Sequence, residues 1–187
     1  MVFDFTKASL AGQIVPTELE NIMLDATTDL KSMLKRPDLV CSQAFVGGEW
    51  VDAKSGKTFD VTNPARGDVI ATVTDLDRSE ITQAIDAAHK SQKAWAALAA
   101  KERAKVLRKW FDLLMANQED LARIMTLEQG KVIAESRGEV AYGASYIEWF
   151  AEQAKRVDGD VIPSPSPDKR IVCIKQPVGV CAAITPW

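Results

Sequence analysis

One stretch decides the fold predicted for this chain: Lys175-Gln-Pro-Val-Gly-Val-Cys-Ala-Ala-Ile-Thr-Pro-Trp187. Within it, Val178–Ile184 is a run of apolar and small residues without polar alternation, which is typical of a strand covered on both faces, as in a parallel sheet. Thr185-Pro186 ends this strand, and Trp187 stands at its carboxyl end. Because open α/β sheets bind ligands just outside the carboxyl ends of their strands, we expect a binding site here.

The composition is that of a globular protein. Of the 187 residues, 47% are hydrophobic and 26% are charged, which excludes an intrinsically disordered chain. The net charge is −3 and no basic block is present, so nucleic acid is not an expected partner. No apolar run reaches the length of a membrane span, so a membrane is not expected either.

The cysteines and the N-terminal residues indicate the cytoplasm. Cys41, Cys173 and Cys181 are odd in number and lack CxxC spacing, as in proteins of a reducing compartment. Cys173 and Cys181 lie in apolar strand patterns and are expected to be inert small hydrophobes. The N-terminal residues resemble neither a secretory signal nor a mitochondrial transit peptide. No metal-ligand set forms around His89, the single histidine.

Strands are predicted first along the chain. Gly47-Gly48 joins two short strands within Ala44–Val51, since a two-residue hairpin turn requires positive φ. Further strands are predicted over Thr58–Thr62 and Val69–Val73, with a turn at Asn63-Pro64 between them. Together these strands predict a small β-meander.

Four helices follow, each with apolar residues at helical spacing. Asp77 or Ser79 is expected to cap the first helix and Asn117 the third, and Gly130 is expected to end the third. The fourth helix carries a stripe of small residues suited to close packing, which Tyr142, Tyr146 and Trp149 widen. The first predicted helix ends near Ala97, and the others span Lys101–Ala116, Asn117–Gly130 and Ile133–Val157.

An arm and an unpaired strand are predicted last. Pro163–Pro167 reads as an extended connector, and Arg170–Gln176 as a strand that pairs outside the main body. The strand at Val178–Ile184 then needs hydrogen-bonding neighbours that the remaining sequence does not supply. We therefore expect the chain to be incomplete.

Six segments together resemble the aldehyde dehydrogenase superfamily, and within it the succinate-semialdehyde branch. The resemblance runs from about Gln43 to Trp187 and leaves the residues before Pro37 unexplained. The segments are Ala44-Phe-Val-Gly-Gly-Glu-Trp50, Val61-Thr-Asn-Pro-Ala65, Lys101-Glu-Arg103, Leu127-Glu-Gln-Gly-Lys131, Glu148-Trp-Phe-Ala-Glu-Gln-Ala-Lys-Arg156, and Lys175-Gln-Pro-Val-Gly-Val180 with Ile184-Thr-Pro-Trp187.

The resemblance implies an α/β fold of which this chain is the N-terminal part: a β-meander, helices, an oligomerisation arm strand and the first strand of a Rossmann-like parallel sheet. It divides the chain into an N-terminal extension at 1–42, the N-terminal part of the NAD(P)-binding domain at 43–163, an arm segment at 164–177, and the first Rossmann-like strand at 178–187. The catalytic domain is expected to be absent.

The same resemblance implies the site residues. Ile184, Thr185, Pro186 and Trp187 are expected to contact the nicotinamide half of NAD or NADP. Trp149 and Phe150 are expected to border the aldehyde tunnel, with simple packing of their helix as the alternative.

In this family a cysteine thiolate attacks the aldehyde, hydride passes to NAD(P), and a glutamate-activated water hydrolyses the thioester. The family's cysteine, glutamate and oxyanion-binding asparagine lie beyond Trp187, and no cysteine of this chain matches the nucleophile's motif. No catalytic residue is therefore expected in these 187 residues.

The implied function is oxidation of succinate semialdehyde to succinate, in 4-aminobutyrate degradation, by a full-length homodimer or homotetramer. The 187 residues alone are expected to be inactive. The alternatives are another semialdehyde or aldehyde dehydrogenase, or a non-catalytic truncated paralogue that binds full-length subunits through the arm. The choices of aldehyde and of NAD or NADP stay open, because their determinants lie beyond Trp187.

Overall fold

A computed structural model describes residues 30–184, which form hairpins at both ends of a helical layer. The strands are β1 (Ala44–Val46), β2 (Glu49–Val51), β3 (Thr58–Thr62), β4 (Val69–Thr74), β5 (Asp160–Ile162) and β6 (Ile171–Cys173). The helices are α1 (Arg78–Ala97), α2 (Ala100–Ala116), α3 (Gln118–Gln129) and α4 (Ile133–Gln153). Short 3₁₀ turns at Leu30–Met33 and Pro37–Leu39 precede them.

The first hairpin forms as the sequence predicts. Gly47 and Gly48 connect β1 to β2 with φ angles of 64° and 99°, which glycine adopts without steric cost. Phe45 lies opposite Trp50, and their ring centroids are 5.1 Å apart. The predicted turn is therefore confirmed.

The β-meander prediction is wrong in one respect, because β2 does not pair with β3. Among the described strands, β1 pairs only with β2, and β3 only with β4, so the four form two separate antiparallel sheets. The backbone amides that follow β2 are used elsewhere: Ala53 donates to Thr74 Oγ1 at 2.7 Å and Lys54 to Glu80 Oε1 at 2.7 Å. These contacts direct the chain toward β4 and α1 instead of into a third strand.

The helices begin where the sequence predicts, and the first has a capping box. Asp77 accepts from the backbone amide of Glu80 at 2.9 Å, while Glu80 Oε2 accepts from the amide of Asp77 at 2.9 Å. Gly130 ends α3 in the left-handed conformation, as predicted. Asn117 is the N-cap residue of α3, as predicted, but its side chain makes no capping hydrogen bond, because its amide donates to the Leu113 carbonyl of α2 at 2.8 Å. The fourth helix ends at Gln153, short of the predicted Val157.

The helical core lies where α4 packs against α2 and α3. Val140, Ala144 and Ala151 on α4 are buried, which confirms the predicted stripe of small residues. Small side chains allow the helix axes to approach closely. Ser136 is fully buried and satisfies its hydroxyl by a 2.8 Å hydrogen bond with Thr126 of α3.

Two ion-pair groups tie α4 to its neighbours. Arg108 on α2 donates to Glu148 at 2.5 Å and to Glu152 at 3.3 Å. Glu119 on α3 accepts two hydrogen bonds from Arg137 of α4, at 2.7 and 2.9 Å. The hydrogen bonds and positive charge of Arg137 hold the pKa of Glu119 below its usual value.

The predicted arm strand forms, but it is shorter and pairs within the chain. β6 covers Ile171–Cys173 rather than Arg170–Gln176, and it pairs with β5 in antiparallel register. Pro163–Pro167 therefore lies in the loop of a hairpin and does not act as an extended connector. The absence of a side chain at Gly159 allows the Cys173 carbonyl to lie against its backbone. This hairpin crosses the boundary predicted between residues 163 and 164.

The strand predicted at Val178–Ile184 is not formed in this structure. These residues have no regular secondary structure, and the side chains of Val178 and Ile184 are 92% and 98% exposed. The physical reason is the missing neighbour: a strand needs hydrogen-bonding partners on its edges, and the described residues provide none at this place. Thr185, Pro186 and Trp187 lie outside the described residues.

Candidate functional site

The exposed face of α4 forms the most distinctive surface of the helical layer. Tyr142, Tyr146, Trp149 and Phe150 recur at intervals that place them on one side of the helix. They line an open depression of about 570 Å³, here called the aromatic groove. Its full lining is Tyr142, Ser145, Tyr146, Glu148, Trp149, Phe150 and Glu152.

The two tyrosines form a pair at one end of the aromatic groove. Their hydroxyl oxygens are 2.6 Å apart, and the rings meet edge to face at 5.0 Å between centroids. The hydrogen bond with Tyr142 raises the pKa of Tyr146. The two hydroxyl groups can donate and accept hydrogen bonds.

Trp149 and Phe150 lie at the other end of the groove and are 58% and 57% exposed. In the part of the chain that the structure describes, packing of the helix therefore leaves more than half of each side chain open. These uncovered aromatic side chains make the groove an apolar surface that is accessible for contact.

Acidic side chains border the groove without being free to act as bases. Glu148 accepts a hydrogen bond from Arg108 at 2.5 Å, and Glu152 is paired with the same guanidinium. Hydrogen bonding to Glu148 raises the pKa of Arg108. At the rim of the groove, two carboxylates therefore share one guanidinium.

The cysteines show no sign of activation. All three are free and exposed, so Cys173 and Cys181 are not the packed small hydrophobes that the strand patterns predicted. The Sγ atoms of Cys41 and Cys181 approach only backbone carbonyls, of Gln43 and Gly179. An activated thiol requires a neighbouring base or cation, and no described residue bonds to these sulfur atoms in that role. Within residues 30–184 no group of three His, Cys, Asp or Glu side chains is arranged to hold a metal ion.

Among the residues expected to contact NAD(P), the structure describes Ile184, whose side chain is almost fully exposed. Ile184 does not line the aromatic groove. One exposed aliphatic side chain does not make a nicotinamide pocket. The described residues alone therefore do not fit the cofactor.

Comparison with families of known proteins decides the identity of the chain. Residues 50–187 match the aldehyde dehydrogenase family. The chain belongs to the aldehyde dehydrogenase family. The matched range contains both the aromatic groove and the C-terminal residues predicted to contact the cofactor.

Several similar relatives within the family are semialdehyde dehydrogenases, and a 3-sulfolactaldehyde dehydrogenase of Pseudomonas putida is 54% identical over 154 residues. Glutarate-semialdehyde dehydrogenase of Pseudomonas putida is 58% identical over 154 residues, which is 82% of this chain and 32% of the relative. Succinate-semialdehyde dehydrogenase (NADP+) of Escherichia coli is 56% identical over 154 residues, which again cover 82% of this chain and 32% of the relative. The chain thus spans about a third of the length of these curated relatives.

Solved structures confirm the family's fold for this part of the chain. The crystal structure of succinate-semialdehyde dehydrogenase from Burkholderia pseudomallei superposes with a TM-score of 0.76 at 52% identity, covering 79% of this chain and 31% of that one. The α/β fold class and the family resemblance inferred from the sequence are therefore confirmed. No helix among residues 30–184 has both the length and the apolar character needed to cross a membrane.

The sequence analysis did not predict that Tyr142 and Tyr146 line the aromatic groove. It placed Tyr142 and Tyr146 on a buried stripe, whereas both side chains are exposed and paired with each other. The signal was present in the spacing: Tyr142, Tyr146 and Trp149 recur every three or four residues on a face distinct from Val140 and Ala144.

Proposed function

We propose that this chain is the N-terminal part of an NAD(P)-dependent dehydrogenase that oxidises succinate semialdehyde to succinate. The observation that carries this proposal is the 56% identity, over 82% of the chain, to the succinate-semialdehyde dehydrogenase of E. coli. We place the reaction in 4-aminobutyrate degradation. We propose the cytoplasm as its compartment because the three cysteines are free, as in proteins of a reducing compartment.

The exposed apolar surfaces support a larger protein. Val178 and Ile184 are nearly fully exposed, and the large aromatic residues in the groove on α4 are at least half exposed as well. Soluble proteins rarely leave apolar patches of this kind uncovered. In this proposal the rest of the dehydrogenase covers Val178–Ile184 and supplies the strands with which this segment pairs.

We assign Trp149 and Phe150 to the wall of the aldehyde tunnel, and Ile184, Thr185, Pro186 and Trp187 to the nicotinamide side of the site. Trp149 and Phe150 offer an apolar surface against which the methylene groups of a short semialdehyde can pack. The residues that react with the aldehyde belong to the remainder of the protein.

A homo-oligomer is part of the proposal. The β5–β6 hairpin exposes Val161 and Val172, and each strand of this two-stranded sheet has a free edge among the described residues. Free strand edges with apolar side chains pair readily with another chain. We therefore propose that this hairpin contacts a second subunit of a dimer or tetramer.

Glutarate semialdehyde is the second candidate substrate. It is favoured by the 58% identity to the P. putida enzyme of that name, and it is longer than succinate semialdehyde by one methylene group. One methylene in an apolar pocket changes specificity by only about 10–200-fold, so the two activities differ in degree. A non-catalytic paralogue that joins full-length subunits through the hairpin is the third possibility.

A chimera tests the dehydrogenase proposal. The corresponding N-terminal part of the E. coli relative is replaced by residues 30–187 of this chain, and kcat/KM is measured with succinate semialdehyde. We expect activity, and a folded chimera without activity would refute the dehydrogenase proposal. Because the determinants of aldehyde choice are expected beyond Trp187, kcat/KM of the full-length protein with both semialdehydes separates the two substrates, and a preference for glutarate semialdehyde would select the second candidate.

A variant of the chimera tests the tunnel assignment. Trp149→Ala is expected to raise KM for the aldehyde at least about tenfold while leaving cofactor binding unchanged, because it removes only packing surface for the substrate. Trp110→Ala is the matched control, since Trp110 is a comparably exposed tryptophan on α2 outside the groove. Equal changes in KM for Trp149→Ala and Trp110→Ala would contradict the assignment of Trp149 to the tunnel wall.

The chain alone provides the second test. The purified 187-residue chain is expected to produce no NAD(P)H from succinate semialdehyde, because none of its cysteines is activated in the described structure. Co-expression with the full-length E. coli relative then tests the paralogue hypothesis. Mixed oligomers would support it, and failure to co-purify would remove it.

A further inference from the structure

The segment Leu30–Arg36 is held firmly against the helical layer, although the sequence assigned it to an N-terminal extension. Leu30 and Leu34 are among the most buried apolar residues of the described chain. Leu30 opens the 3₁₀ turn at Leu30–Met33, and Leu34 directly follows it. We call this segment, Leu30–Arg36, the N-terminal strap.

A single carboxylate holds the C-terminal end of the strap. Asp120 Oδ1 accepts from the backbone amide of Lys35 at 3.2 Å, and Oδ2 accepts from that of Arg36 at 2.8 Å. Asp120 is only 4% exposed and lies in the first turn of α3, where the helix dipole favours a negative charge. Because both bonds go to backbone amides, they do not depend on the side chains at positions 35 and 36.

A second contact links the strap to α4 through α3. Arg123 on α3 donates to the carbonyl oxygen of Met33 at 3.4 Å and also pairs with Glu119 at 3.2 Å. Glu119 in turn accepts the two hydrogen bonds from Arg137 of α4. A continuous series of polar contacts therefore runs from the strap, across α3, to the start of α4.

We propose that the N-terminal strap is a conformational device: it docks on α3 through Asp120, and its docking tightens the contact of α3 with α4 at the Glu119–Arg137 pair. Release of the strap uncovers Leu30 and Leu34 and removes the Met33 contact that orients Arg123. Arg123 then no longer holds Glu119 in position for Arg137. The strap is thus part of the domain, which begins no later than Leu30.

Hydrogen exchange of individual backbone amides in the 187-residue chain tests this inference directly. In Asp120→Ala, we expect the amides of Lys35 and Arg36 to exchange about tenfold faster or more, because both lose a charged acceptor. Asp120→Asn keeps one acceptor oxygen and should protect only one of the two amides. Asp112→Ala, which removes an exposed carboxylate on α2, should leave both unchanged.

A second variant keeps the test decisive if Asp120→Ala does not fold. Leu34→Ala weakens the apolar side of the strap without altering α3, and it should speed exchange at Lys35 and Arg36 with Asp120 intact. In each releasing variant, exchange should also rise in the second turns of α3 and α4, where the backbone amides are hydrogen-bonded within the helix. Unchanged exchange at Lys35 and Arg36 would overturn docking through Asp120. Faster exchange there, with no change in α4, would overturn the coupling to Arg137.

Discussion

Gly130 lies directly against Pro64, so that a Cβ atom added to the glycine would be 3.0 Å from the proline Cγ. Gly130 also has a φ of 74°, in the left-handed region. The contact joins the turn after α3 to the loop between β3 and β4. Two segments that are distant in sequence, Asn63-Pro64 and Gly130-Lys131, thus meet in the fold.

Gly130→Ala should lower the free energy of unfolding by about 1–2 kcal/mol from the left-handed backbone alone, with a further loss from the Pro64 contact. Gly138→Ala is the matched control: Gly138 lies in α4 and nothing is within 4 Å of its added Cβ. The free energy of unfolding of this control should rise by about 0.5–1 kcal/mol, because alanine is a better helix former than glycine. Urea unfolding of both variants measures the difference.

Glu80→Ala should destabilise the chain by about 1–3 kcal/mol, because it leaves two backbone amides without their acceptor. Those amides belong to Lys54 and Asp77, and Glu80 itself is only 7% exposed. Glu80→Gln keeps one acceptor oxygen and should therefore lose less stability than Glu80→Ala. Thermal unfolding compares the three proteins. A loss no greater than that of an exposed control, Glu49→Ala, would contradict the role of this carboxylate as a link between the hairpin and α1.

Ionised Glu119 stabilises the fold, and this contribution falls as the pH is lowered. Its pKa is lowered, chiefly by the hydrogen bonds from Arg137, so its contribution is present above the unfolded value of about 4.3 and is lost as pH falls through the folded pKa. Glu119→Gln should therefore be less stable than the parent at neutral pH, and the gap should close in acid. Glu102→Gln, which breaks a pair within α2 only, should show a much smaller gap. A gap for Glu119→Gln that does not depend on pH would contradict the assignment.

The β5–β6 hairpin should drive self-association. Val172 lies opposite Val161 in the sheet, and its side chain is exposed. Val172→Lys places a charge there, and charged residues block edge pairing. Analytical ultracentrifugation should show a smaller assembly for Val172→Lys than for the parent chain. Val106→Lys, at an exposed valine of α2, is the control and should leave the assembly unchanged. Identical sedimentation of Val172→Lys and the parent would argue against the hairpin as the interface.

Sequence alone determined the local elements and the family. Gly47-Gly48, the capping residue Asp77, and Gly130 act through neighbours a few residues away, so their effects can be predicted from the order of residues. The stripe of small residues on α4 likewise follows from helical periodicity. The motifs between Ala44 and Trp187 were sufficient to identify the aldehyde dehydrogenase family.

Tertiary structure decided which surfaces are covered. The run Val178–Ile184 has the pattern of a buried strand, yet it is exposed, because a strand forms only where another strand offers its hydrogen-bonding edge. The arm strand pairs with β5, the aromatic side chains of α4 line an open groove, and Asp120 binds backbone amides 84 and 85 residues away in the chain. Each of these features depends on contacts between distant segments. A local sequence pattern does not specify which distant segment will pack against it.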